Sequence, residues 1–287
     1  MERKIDSGDL NVDRRALKGL TLRDLLVRYR DTITPTKRGA RMERYKVGTF
    51  LSHTIADCPL RALTPTMVAR YRDDRLKLVK SGTVRRELSV LHHCLEIARK
   101  EWGFPFPGNP VGQIGLPQPS KPRDRRPTPE ELDRLLSGCD RRRSPLLSSV
   151  ILFAVETGMR RGELVATRWS DVDLEGRTLH ILMAKNGHAR TIPLTSAAVD
   201  ILLELPKDTD QIFPISGNAI RLAWERLKKR VGIDDLRFHD LRHEAVSRFF
   251  EMGLTVPEVA LISGHRDARM LFRYTHLRPE DIAKKMS

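Results

Sequence analysis

No helix and no central strand can run through "GFPFPGNPVGQIGLPQPSKPRDRRPTPEE" (Gly103–Glu131). Eight prolines fall within it, each locking φ and lacking a backbone N–H. Glycines interrupt it further, and its second half turns basic. Such a stretch separates folding units, and 287 residues are enough for two domains. The expected organisation is a short polar, loosely ordered segment 1–20, a domain over 21–112, a linker over 113–125 and a second domain over 126–287. Thr128 and Pro129 supply the N-cap and first position of the helix that opens the second domain.

Ahead of the linker the apolar residues recur at three and four. "TLRDLLVRYR" begins at Thr21, a predicted N-cap with Asp24 three residues on, and helical patterns follow near Lys37–Ser52, Thr64–Leu78 and Ser81–Lys100. This predicts a bundle of amphipathic helices. Beyond the linker, "SPLLSSVILFAVETGMRRGEL" starts with a nearly all-apolar helix fit only for a core. "TLHILMAKNGHARTIPL" reads as two strands joined at Asn186-Gly187, and helices resume around Ala219–Val231, His239–Met252, Val256–Ser263 and Pro279–Lys285.

Lys and Arg number 52 against 37 Asp and Glu, a formal charge of +15, which points to a polyanionic partner and above all to nucleic acid. The outer faces of the first bundle carry Arg70, Arg72, Arg75, Lys77, Lys80, Arg85 and Arg86, expected to form a phosphate-facing side. The runs Arg141–Arg143 and Lys228–Arg230 are read as solvated or backbone-contacting. Cys58, Cys94 and Cys139 lie far apart, so they imply neither a disulfide framework nor a CxxC zinc site. The N-terminus lacks a signal-peptide core and no run of about 18 apolar residues occurs, so the expectation is a soluble, cytoplasmic chain with no membrane partner.

"LFRYTH" (Leu271–His276) places Tyr274 near a charged terminus. As a nucleophile it would need help. A phenol of pKa about 10 is about one part in a thousand ionised at pH 7, a penalty of about 4 kcal/mol. Attack on a phosphodiester also loads charge on the non-bridging oxygens, and the leaving alkoxide needs a proton. Without a metal, arginine forks and a general acid must meet these demands.

Such groups occur, each unremarkable alone. "TGMRRGEL" (Thr157–Leu164) sets Arg160 and Glu163 three apart, expected on one helical face, while Arg161 points about 100° away. "FHDLRHEAVSRFF" (Phe238–Phe250) sets His239, Arg242 and His243 on one helix face. His265 follows Gly264, nine residues before Tyr274, and Lys185 stands immediately before the Asn186-Gly187 turn.

In this order the set resembles the tyrosine recombinase family, the phage-integrase-like site-specific recombinases. The family's T-G-x-R-x-x-E arginine falls on Arg160, its hairpin lysine on Lys185, its H-x-x-R pair on His239 and Arg242, its G-H on Gly264-His265 and its nucleophile on Tyr274. The likeness runs from about Thr21 to Pro279. It implies a mainly α fold with a small β-sheet: a helical, SAM-like core-binding domain plus an α/β catalytic domain of the DNA breaking-rejoining type, forming a C-shaped clamp on duplex DNA. It also implies the roles. Tyr274 would form a 3′-phosphotyrosyl bond, Arg160 and Arg242 would hold the phosphate, and Lys185 would protonate the 5′ oxygen. His239 would assist proton transfer, His265 would donate to the phosphate, Glu163 would orient Arg160, and His243 would support the site. No metal, ATP or other cofactor is implied.

The partner is then double-stranded DNA at specific core sites, with Arg70, Arg72, Arg85, Arg86, Lys121 and Arg123 as candidate contacts. Four protomers would exchange strands through a Holliday junction, the free protein being a monomer or weak oligomer, with an accessory directionality factor as a further candidate partner. Larger family members often carry an N-terminal arm-binding domain for which segment 1–20 is too short, so the expectation is either a simple recombinase acting on core sites or a sequence that is part of a longer chain. Two rival readings are a catalytically inactive DNA-binding regulator of the same fold and a metal-dependent hydrolase. The hydrolase would use His239 and His243, four apart, with His265 or His276 as third ligand, and it leaves both arginines and Lys185 without a task.

Overall fold

Thr21 opens helix α1 (Leu22–Thr32) through a capping box in which its hydroxyl accepts from the Asp24 N–H and Asp24 accepts from the Thr21 N–H at 2.8 Å. A computed structural model describes residues 17–121, 123–140, 142–182 and 189–275. Within it the chain forms two compact units, Met1–Pro122 and Arg123–Ser287.

In the first unit, α1 packs with α2 (Ala40–Leu51) and α4 (Ser81–Lys100), and α3 (Pro65–Leu76) packs on α4. Leu22, Leu25, Leu26 and Tyr29 of α1 meet Val47, Phe50, Tyr71, Leu88 and Leu91 in one core, each large side chain contributing roughly 1.5–3 kcal/mol on burial. Three readings of the sequence are corrected here. Leu17 is buried in this core and Leu20 receives the Leu60 N–H at 2.9 Å, so residues 17–20 belong to the fold. Helix α2 starts at Ala40, not Lys37, because Thr34–Thr36 form a 3₁₀ turn around Pro35. Arg75 is not on the outer face; it turns inward to make two hydrogen bonds to Glu87, which is 2 % exposed and also accepts from the Tyr71 hydroxyl.

Residues just past the first helical bundle lie along it. Arg72 donates to the Gly115 carbonyl at 2.6 Å and Arg85 to that of Pro117 at 2.7 Å. The second unit opens with Arg123, whose guanidinium grips both Asp235 and Asp240, and Arg126, which pairs with Glu244 and Glu251. Helix α5 (Pro129–Ser137) follows, with Thr128 and Glu131 forming its capping box.

The second unit is built around α6 (Leu147–Thr157), most of whose apolar residues are buried, leaving a half-buried stripe at Ser148, Leu152 and Glu156. Against it pack α7 (Arg161–Leu164), α8 (Ser196–Leu203), α9 (Gly217–Val231) and α10 (Asp240–Glu251), and α10 in turn meets α11 (Val256–Ser263). Helix α8 escapes the periodicity reading; Thr195 caps it. Strands β1 (Val172–Asp173), β2 (Thr178–Ile181) and β3 (Arg190–Pro193) form an antiparallel sheet in sequence order, with Leu179 directly opposite Ile192, both facing the core. Helix α11 lies against β3. The expected Asn186-Gly187 turn with Lys185, and the helix at Pro279–Lys285, fall outside the described residues. Among the described residues no helix is long and apolar enough to cross a membrane.

Candidate active site

The site begins where α6 stops. Gly158 takes a left-handed conformation (φ +62°) that an L side chain adopts only with strain, and it ends the helix. Arg160 is therefore not on a helix face shared with Glu163, as the spacing predicts. It is the extended N-cap residue of α7, and Glu163 reaches back to it twice: one carboxylate oxygen accepts the Arg160 N–H at 3.0 Å, the other the guanidinium at 2.8 Å. The pairing expected of these residues is present by a different local geometry.

Glu163 has a second partner that sequence spacing cannot reveal. Arg190, first residue of β3, donates to both of its oxygens at 2.9 and 3.2 Å and to the Ile262 carbonyl. Burial pushes the Glu163 carboxyl upward, but the hydrogen bonds from Arg190 and Arg160 outweigh it and hold the group below its ordinary value. One buried anion thus orients two guanidiniums.

Arg242 is 4 % exposed. Two of its N–H groups go to the main-chain carbonyls of Gly158 and Ser263, at the ends of α6 and α11, out of the five a guanidinium carries. Burial and the nearby Arg160 charge lower it to about 9, which still leaves it protonated at neutral pH.

Three imidazoles surround these cations. His239, just ahead of α10, meets His243 edge-to-face with ring centroids 5.5 Å apart. Burial and Arg242 lower its pKa. His265 is lowered to about 3 by burial and by Arg242, Arg160 and Arg273. Its Nδ1 lies 2.7 Å from Ser263 Oγ, and that hydroxyl stands 2.6 Å from the Val259 carbonyl. A carbonyl only accepts, so the serine hydrogen goes there and His265 Nδ1 must carry the proton. The neutral ring then presents a bare Nε2, and the expected donation to a phosphate requires that it first take up a proton.

Tyr274 sits in a 3₁₀ turn (Phe272–Tyr274) packed on α10, with 5 % exposure. Its hydroxyl contacts His243 Nδ1 and receives Arg273 Nη2 at 2.6 Å, and the Arg273 guanidinium lies over the phenol ring at 4.7 Å. Burial raises the phenol pKa while Arg273 and Arg242 oppose that rise.

The fold therefore gathers Arg160, Glu163, His239, Arg242, His243, His265 and Tyr274 in one unit. Lys185 and His276 lie outside the described residues. Sequence reasoning misses Arg190 and Arg273; Arg273 adjoins Tyr274 in the chain, and nothing local marks Arg190. Of the DNA-contact candidates, Arg70, Arg86 and Lys121 are exposed on the first unit, Arg72 and Arg85 hold main-chain carbonyls, and Arg123 spends its donors on Asp235 and Asp240. Among the described residues no group of three His, Cys, Asp or Glu converges as a metal site.

Two helical units, the second with a small antiparallel sheet and a tyrosine facing arginines and histidines, define the tyrosine recombinase class of DNA breaking-rejoining folds. The Tn1549 transposon integrase in complex with circular intermediate DNA matches with a TM-score of 0.76 at 16 % identity, over 93 % of this chain and 99 % of that one. A lambda integrase tetramer bound to a Holliday junction matches at 0.73 and 21 % identity, over 93 % and 82 %. The phage integrase family model covers residues 125–281, and the shufflon-specific DNA recombinase of Escherichia coli is 39 % identical over 94 % of this chain and 72 % of its own length. The chain belongs to the phage integrase family.

Proposed function

We propose that the protein is a site-specific DNA recombinase that cleaves and rejoins duplex DNA through a 3′-phosphotyrosyl bond on Tyr274. The observation that carries this reading is the Tyr274 hydroxyl held by Arg273 and His243, with the buried Arg242 charge acting on it from the same unit. Arg160 and Arg242 neutralise the non-bridging oxygens as charge develops. Their orientation is set beforehand by Glu163 and by the Gly158 and Ser263 carbonyls. Lys185 protonates the leaving 5′ oxygen. The phosphotyrosyl bond conserves the energy of the broken ester, so a 5′-hydroxyl from another strand reverses the step without ATP.

Segment 21–112 serves as the core-binding domain, 113–125 as linker and 126–287 as catalytic domain. Arg70, Arg86 and Lys121 are the candidate phosphate contacts. Four protomers on two sites, passing through a Holliday junction, is the assembly this reading favours, by analogy with the lambda integrase tetramer. Trapping on nicked suicide duplexes drawn from the flanks of the gene tests it. Wild type should form a covalent adduct and Tyr274→Phe none while still binding; an adduct of unchanged yield from the phenylalanine variant removes Tyr274 as nucleophile.

A further inference from the structure

We infer that His243, the imidazole one residue after the H-x-x-R arginine, is the base that takes the proton from Tyr274. The inference rests on the reading of Tyr274 as nucleophile. Its ground is the hydrogen bonding of the Tyr274 hydroxyl. Arg273 Nη2 lies 2.6 Å from the tyrosine oxygen, and a guanidinium can only donate. The phenol oxygen therefore accepts from Arg273, and His243 Nδ1 is the remaining contact of the hydroxyl, placed to accept its hydrogen. In that arrangement Nδ1 is bare and Nε2 carries the ring proton.

The geometry favours His243 over His239. The rings of His243 and Tyr274 lie nearly parallel, 28° apart. His239 stands behind, edge-on to His243, and makes no hydrogen bond to the phenol. The groups facing His243 are His239, Asp240 and Arg242 around the start of α10, Arg273 and Tyr274 on the terminal turn, and His265 after α11. Burial and the cations among them bring its pKa down to about 4, so the ring is neutral and able to accept at physiological pH.

The step balances simply. The Tyr274 O–H bond breaks and its proton forms an N–H bond at His243 Nδ1. The freed oxygen pair forms the bond to phosphorus as the phosphorus–O5′ bond breaks. The departing pair on O5′ takes a proton from the acid, Lys185 in this reading. Arg273 steadies the phenol oxygen as charge passes through it and is a positioning residue. In the reverse step the imidazolium returns its proton to the phenol.

The test is single-turnover adduct formation on a nicked suicide duplex carrying the protein's core site, with DNA binding measured in parallel. His243→Ala should bind DNA normally and cleave about a hundredfold or more slowly near neutral pH, the low end of the usual general-base contribution. Its rate should climb about tenfold per pH unit, following phenolate concentration, where wild type is flat. Added imidazole should restore the rate, with substituted imidazoles ranking by basicity. Should the alanine variant fold poorly, His243→Gln keeps the volume and carries the same pH-slope prediction. Cleavage within about threefold of wild type overturns the assignment, as does a loss that neither higher pH nor imidazole relieves. Failure of the wild type to form any adduct would strike the recombinase reading itself; an adduct in wild type with an indifferent His243 variant strikes only this one.

Discussion

Glu163 is where a single side chain carries most of the local organisation. Nearly buried, it is the shared counter-ion of Arg160 and Arg190, one from the α6–α7 turn and one from β3. Glu163→Gln keeps the shape but leaves two guanidiniums without their anion, and removing one partner of a buried pair costs about 3 kcal/mol or more. An unfolding free energy in urea lowered by about that amount, with slower cleavage, is the expected outcome. Its pH dependence has a definite sign. The folded carboxyl is held below its ordinary value, so the stabilisation is complete above the unfolded pKa of about 4.3 and disappears as pH falls through the lower folded value. The gap between wild type and variant should thus be constant near neutrality and close in acid. The pairing of Arg160 with Glu163 is legible from their spacing, but its form is not. Thr157-Gly158 ends the helix first, so the reach is that of a cap, and α7 begins at Arg161, immediately after Arg160.

At the scale of elements, the ends of helices matter more than their bodies, because helix ends deliver Arg160, His239 and His265 to the site. Gly264 closes α11 with φ +70°, and a Cβ there would lie 3.0 Å from the Arg190 guanidinium. Gly232 closes α9 with nearly the same φ, +66°, and nothing within 4 Å. Alanine at either position should lower stability by about 1–2 kcal/mol from the left-handed backbone alone. Only Gly264→Ala should also slow DNA cleavage, since it displaces Arg190 from Glu163. Equal cleavage rates in the two variants would show that Arg190 does not bear on the site. Most of these elements can be read in advance, since Thr21, Thr64, Thr128 and the following prolines or acids act within three residues. Helix α8 is the exception because it is short and apolar, where helical and strand patterns look alike.

For the whole molecule, the two units have separate cores: Leu22, Phe50, Tyr71 and Leu91 in one, Val150, Phe153, Trp224 and Val246 in the other. Every bonded side chain described in the site belongs to the second unit. Expressed alone, residues 123–287 should unfold in one cooperative transition and retain the Tyr274–His243 hydrogen bond. The missing unit carries exposed Arg70, Arg86 and Lys121, so the fragment should bind DNA more weakly. The slope of log affinity against log salt should also become shallower by about 0.9 for each phosphate no longer neutralised. An unchanged slope would show that those three side chains do not pair with phosphates.

What the sequence by itself determined is whatever short-range chemistry controls: the proline-rich break between units, the caps and apolar periodicities of the helices, the excess positive charge, and the ordered residue types that resemble a recombinase site. Only the tertiary structure decided that Arg190 shares Glu163 across 27 residues and that His243 meets the Tyr274 hydroxyl across 31. Capping and propensity act over one helical turn. Which imidazole a phenol faces depends on how α10 and a turn some thirty residues later pack on the same core, and no local pattern encodes that distance.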